Sequence, residues 1–199
     1  MKKLVLGAIA ALFVGTTAMA EDFDNTEAFV TVEMDRFEFT VNADQRDGLT
    51  DLEAGAEVLS YNLGDDVTAS LDVFGRYFKG SETGTLAARY SMAYYMNDLS
   101  MYGSAEAEWV VTTDSGADND VFVNPEIGVA YALSDTVSMF GDVEYTWNAT
   151  DSFSRAGGEA EMGVNWMVTS GVTFTPSVVH YFDTADERTE ARVGMTFNF

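Results

Sequence analysis

Apolar and polar side chains alternate with a period of two through most of this chain, and that alternation narrows the possible folds more than any other feature. Val67, Ala69, Leu71, Val73, Gly75 and Tyr77 form one apolar register, with Asp72 and Arg76 among the residues between them. The last ten residues, EARVGMTFNF, put Ala191, Val193, Met195, Phe197 and Phe199 on one side and Arg192, Gly194, Thr196 and Asn198 on the other. Successive strand side chains point to opposite faces, so each run is a strand with one apolar and one polar face. Repeated along a chain, such strands suit either a soluble β-protein with the apolar face inside or a closed barrel with that face turned to lipid.

The runs predict ten strands. Eight follow from Val67 onward, opening at Val67, Leu86, Met101, Val121, Val137, Ala160, Val172 and Glu190. Two more, Glu27–Val41 and Leu49–Leu63, each change phase once, near Asp35 and Leu59, as a β-bulge would make them do. Ten is an even number, as expected of a single-chain barrel, with eight as the alternative count. Short links (Gly64–Asp66, Asn97-Asp98, Ser134-Asp135, Thr169–Gly171) alternate with longer ones (Ala43–Gly48, Lys79–Gly84, Asp114–Asp120, Asn148–Gly157, Asp183–Thr189). Turns at one rim and loops at the other is the arrangement of outer-membrane barrels. Outward aromatics gather near strand ends: Tyr131, Trp166 and Phe199 toward the turns, Tyr77, Trp109, Trp147 and Phe182 toward the loops.

The start of the chain predicts export. Lys2 and Lys3, an apolar stretch from Leu4 to Val14 and Ala18-Met19-Ala20 read as a secretory signal peptide over residues 1–20. No later apolar run reaches the roughly 18 residues of a spanning helix, so a membrane location requires a closed barrel. Without Lys2 and Lys3, 8 cationic residues (10 − 2) face 33 acidic ones, a net charge of −25. That balance excludes nucleic acid as a partner, since phosphate binding needs clustered Lys and Arg. With no cysteine, an exported chain has no disulfide framework.

The leader, the hairpin rhythm and the terminal Phe199 resemble the small porin-like outer-membrane β-barrel proteins of Gram-negative bacteria. The resemblance implies an all-β fold: one up-and-down antiparallel transmembrane barrel over residues 27–199, after a short periplasmic segment over 21–26. It implies short periplasmic turns, longer extracellular loops and both termini at the turn rim. The implied location is the cell outer membrane, with its lipid and lipopolysaccharide as partners. Phe199 would be the assembly signal, read by the β-barrel assembly machinery.

The polar face then lines the lumen. It carries Glu53, Glu57, Asp72, Glu106, Glu108, Glu126, Asp142, Glu144, Glu159 and Glu161 against Arg76, Arg89 and Arg192. Unpaired charge in a dry interior costs several kcal/mol per ion, so this lumen is expected to be wet. Small inward residues (Gly55, Ser70, Ala87, Ser91, Ser104, Gly128, Ala130, Gly163, Gly194) leave room for water beside Phe74, Phe122, Phe140 and Tyr181. Rings of carboxylates concentrate cations, and the expected function is a narrow passive channel for small cations or solutes. The alternative is a non-conducting structural or interaction barrel with acidic surface loops.

No enzyme is expected. His180, the one histidine, falls on the apolar face near the loop rim, and nothing places it beside Asp151, Ser152 and Ser154. Asp114–Asp120 and Asp183–Glu190 are rich in oxygen ligands that could meet divalent cations, but neither has the spacing of a calcium loop. No cofactor motif and no metal site is expected.

Overall fold

A computed structural model of the protein describes residues 25–44, 48–78, 83–111, 120–185 and 187–199. The leader and most of the Asp114–Asp120 loop lie outside these residues. The described chain forms β1 (Asn25–Met34), β2 (Phe37–Asp44), β3 (Gly48–Asn62), β4 (Val67–Phe78), β5 (Thr83–Met96) and β6 (Leu99–Val111). It continues with β7 (Val121–Ser134), β8 (Val137–Asn148), β9 (Ser154–Thr169), β10 (Val172–Phe182) and β11 (Arg188–Asn198). Each strand pairs with its sequence neighbours and β1 pairs with β11, which closes the sheet into a single barrel.

The eight strands expected from Val67 onward appear as β4 to β11, and Leu49–Leu63 corresponds to β3. The difference lies at Glu27–Val41, which is a hairpin of two strands. Asp35 takes a left-handed φ of 54° and Met34 faces Phe37 across the turn. A two-residue turn changes which parity points outward: Ala28, Val30 and Val32 in β1 are followed by Phe37, Phe39 and Val41 in β2. A bulge changes parity in the same way, which is why the sequence alone did not separate the two. The second phase change is a bulge, for Glu57 faces Asp72 and Leu59 faces Leu71, leaving Val58 unpaired.

Eleven strands alter the closure. Strand direction reverses at every turn of a meander, so an odd count returns the last strand parallel to the first. β1 and β11 run parallel, with Glu27 beside Arg192 and Val32 beside Phe197. Asn25 accordingly lies beside Glu190 at the loop rim, while the Phe199 N–H reaches the Glu33 carbonyl (3.1 Å) at the turn rim. The termini of the barrel are therefore at opposite rims, not together at the turns. β1 also begins two residues ahead of the expected boundary at 27.

Large apolar side chains are exposed around the outside, Ile127 to 65 % and Met162 to 69 %, as on a barrel built for lipid. Tyr131 and Trp166 near the turns and Tyr77 and Trp109 near the loops are also exposed. Across the seam, Ala28, Val30, Val193 and Phe197 form a buried apolar cluster with Val172, Phe174 and Met195 packed against it. The two prolines mark gaps in the ladder. No pairing joins Asn124 and Pro125 to β8, or Thr175 and Pro176 to β9, because proline has no N–H to donate.

The acidic interior as candidate functional site

The polar faces of the strands meet inside the barrel, where they form three groups and a fourth, smaller pair. The first spans β3 to β6. Arg76 bonds Glu53 through Nε and grips Glu106 with both terminal nitrogens, Nη1 to Oε1 at 2.6 Å and Nη2 to Oε2 at 3.1 Å. Arg89 reaches the same Glu106 Oε2 through Nη2 at 2.7 Å and Nε at 3.0 Å. Glu108 stands 3.6 Å from Arg76 Nη1. Both guanidinium groups lie over the Phe74 ring, at 5.6 Å and 4.8 Å from its centre. Glu106 is the hub, only 3 % exposed.

The second group sits at the seam. Arg192 donates to Glu27 through Nε (2.8 Å), to Glu161 through Nη1 (2.8 Å) and to the Tyr181 hydroxyl through Nη2 (3.0 Å). It thereby links β1, β9, β10 and β11 across the parallel closure. Beside it, Arg188 donates to Glu190 at 2.8 Å and stacks over the Tyr181 ring.

The third group is the wall from β7 to β9. Glu126 faces Glu144, Glu144 faces Glu159, and Asp142 faces Glu161. Ser104 donates to Glu126 and the Tyr102 hydroxyl to Asp142, each at 2.9 Å. No arginine stands on these three strands inside the barrel among the described residues. Glu57 and Asp72 form a fourth, smaller pair, with Ser70 donating to Asp72 at 3.0 Å. Near them a cavity of about 410 Å³ is lined by Glu57, Ser70, Arg89, Ser91, Tyr102 and Glu126. A second, of about 240 Å³, touches Glu33, Glu38, Asp72 and Phe74 and shares Glu57 and Arg89.

The expected lumen residues thus fall into these groups, and further acids join them. Glu27 and Glu38 belong to the two strands whose phase hinged on the Asp35 turn, Asp51 lies on β3 at the parity of Glu53, and Glu190 lies on the same parity as Arg192. The Met34–Phe37 pairing was the signal for the first two: with a turn at Asp35, Glu27 and Glu38 share the polar face.

The inward glycines have a use that sequence spacing did not reveal. Gly55 faces Phe74, Gly128 faces Tyr102, Gly163 faces Phe140 and Gly194 faces Phe29, each directly across a strand pair. At all four, a β-carbon would collide with the facing ring or its neighbours. Ring atoms therefore take up the space that a side chain would need at each of these glycines, an aromatic rescue of glycine. The room expected from these glycines is filled by rings, while Ser70, Ser91 and Ser104 flank the open cavity.

His180 donates or accepts at Thr189 Oγ1 (3.0 Å) and lies 3.6 Å from Glu187 at the loop rim. Asp151 and Ser154 bond each other in a separate turn.

No protein-family model matches the sequence, and no curated protein matches it. Among solved structures, the barrel is similar to the NanC porin in a rhombohedral crystal form, with a TM-score of 0.64 at 12 % identity. The match covers 86 % of this chain and 91 % of that one. At that identity the likeness is one of fold: the chain folds as a porin-like β-barrel.

Proposed function

We propose that the protein is a passive channel of the outer membrane whose acidic lumen favours small cations. The observation that carries this reading is the β7–β9 wall, where Glu126, Asp142, Glu144, Glu159 and Glu161 face inward and, among the described residues, the one arginine on these strands, Arg155, pairs with Trp147 and stacks over Tyr145 on the other face. A row of fixed carboxylates at a low-dielectric wall sets up a negative potential that draws cations and repels anions. The apolar outer surface and the likeness to a porin support the membrane part of the reading. The predicted leader supports export to the outer membrane.

Reversal potentials across a potassium chloride gradient, measured on refolded protein in planar bilayers, test the reading. Cation preference is expected, and it should weaken in about 1 M salt, where the Debye length falls to about 3 Å. Glu144→Gln should lower the preference without loss of the barrel. An anion preference would overturn the reading. The absence of any conductance would favour the structural or interaction barrel, for which the ion-pair network bridging β3 to β6 is the supporting observation.

A further inference from the structure

Glu126, Glu144 and Glu159 stand in one row on three adjacent strands. Facing β-carbons in such pairs are about 5 Å apart, and like charges directly opposite each other are unfavourable. The nearby arginines are already engaged: Arg192 with Glu27, Glu161 and Tyr181, and Arg76 and Arg89 with Glu53 and Glu106. The side-chain carboxylates of Glu144 and Glu159 have no hydrogen bond or ion pair with any described residue. Glu144 is within electrostatic reach of Glu159, Glu106 and Glu126, and the nearest cations, Arg89 to Glu144 and Arg192 to Glu159, act on the pair only across space.

A second observation comes from Asn124. It faces Glu106 from β7, is 6 % exposed, and its side-chain Oδ1 has no hydrogen-bond partner. It sits where Pro125 opens the ladder to β8, directly before the Glu126–Glu144 pair. Acceptors outnumber donors here, since only the Ser104 hydroxyl donates to Glu126 and the Asn124 amide oxygen is left without a donor, so what is missing is a cationic donor. A dehydrated metal ion does not suit the place, because no three acidic side chains converge on a common point among the described residues. An ammonium group suits it better: it brings three N–H donors and needs no closed cage. The row spans two strand spacings, about 10 Å, which favours two positive charges held apart over one.

We propose that this wall binds an alkyl diammonium ion, one ammonium between Glu144 and Glu159 and the other at Glu126 and the Asn124 carbonyl. The inference rests on the reading of the interior as open to solutes, and it names a solute class for it. Isothermal titration calorimetry on the full barrel refolded in a neutral detergent tests it, with 1,4-diaminobutane, butylamine and calcium chloride as probes. The diamine should bind more tightly than butylamine or calcium. Glu144→Gln and Glu159→Gln, made separately so that one misfolded variant leaves the other informative, should each weaken it at least about tenfold, the loss expected for one charged hydrogen bond. No diamine binding, equal binding of butylamine, tighter binding of calcium, or undiminished affinity in both folded variants would overturn the proposal. Calorimetry reads binding whether or not the barrel conducts. A cation-selective barrel that ignores the diamine would end this inference alone, and diamine binding in a barrel without conductance would end the channel reading alone.

Discussion

Glu106 accepts hydrogen bonds from two arginines on two different strands while nearly sealed from solvent. Removing its charge leaves both guanidinium groups short of a partner, the expensive direction in which to break a buried charged network. Glu106→Gln is expected to lower stability by about 1–3 kcal/mol, read as a lower urea midpoint for the refolded barrel. Glu108→Gln removes only a longer contact to Arg76, and a loss below about 1 kcal/mol is expected. Equal midpoints for the two variants would show that Glu106 is not the hub. Gly128 poses the converse problem, too little room. Because the Tyr102 ring occupies the space of its missing side chain, Gly128→Val should cost about 1–3 kcal/mol through overpacking. The paired variant Gly128→Val with Tyr102→Ala should recover part of that loss, again by urea midpoint.

Among the elements, the β1–β2 hairpin decides how many strands the barrel has. Its turn carries no Asn-Gly or Asp-Gly signal; the only local cue in Met34-Asp35-Arg36-Phe37 is an aspartate able to adopt a left-handed backbone. Period-two patterning reports which face a residue occupies but not whether a parity change is a bulge or a tight turn. Val58 and Asp35 therefore looked alike in sequence, and one proved to be a bulge and the other a turn. From the β3–β4 turn onward the turns hold Gly64, Asn97 and paired acids or hydroxyls, and there the strands and their alternating faces were legible, although Glu190 was not counted among the inward acids. The side-chain networks were not, since which arginine meets which glutamate depends on strand stagger. Asp35→Val should destabilise the hairpin by about 1–2 kcal/mol, the cost of a left-handed backbone for a residue with a bulky β-carbon. Asp35→Gly should fold at least as well, with urea midpoints deciding between them.

For the whole molecule, closure is the property to test. The parallel seam places Ala28 beside Val193, and the chain has no cysteine of its own. Ala28→Cys with Val193→Cys should therefore be joined by a short bifunctional thiol reagent, giving a gel mobility distinct from either single variant. Failure to cross-link in the folded barrel would mean that it closes through other strands. Phe199 belongs to the same scale. Its deletion is expected to reduce the yield of folded protein in the outer membrane far more than Phe74→Ala does, measured by heat-modifiable mobility in membrane fractions. Equal yields would remove the terminal aromatic from any part in assembly.

The rings resting on Gly55, Gly128, Gly163 and Gly194 separate two properties that a passage must set. Its width is governed by backbone positions that bear no charge and need not touch a solute; its charge is governed by inward residues two positions along the same strands, Glu53 and Glu57, Glu126, Glu161 and Arg192. A substitution at one of these glycines would push a ring into the bore and leave every acid in place, whereas an acid-to-amide change would leave the bore as wide as before. In the proposed channel, calibre and valence are thus written in different letters of the same alternating code, so such a barrel would drift toward larger or smaller solutes without changing the sign of what it admits.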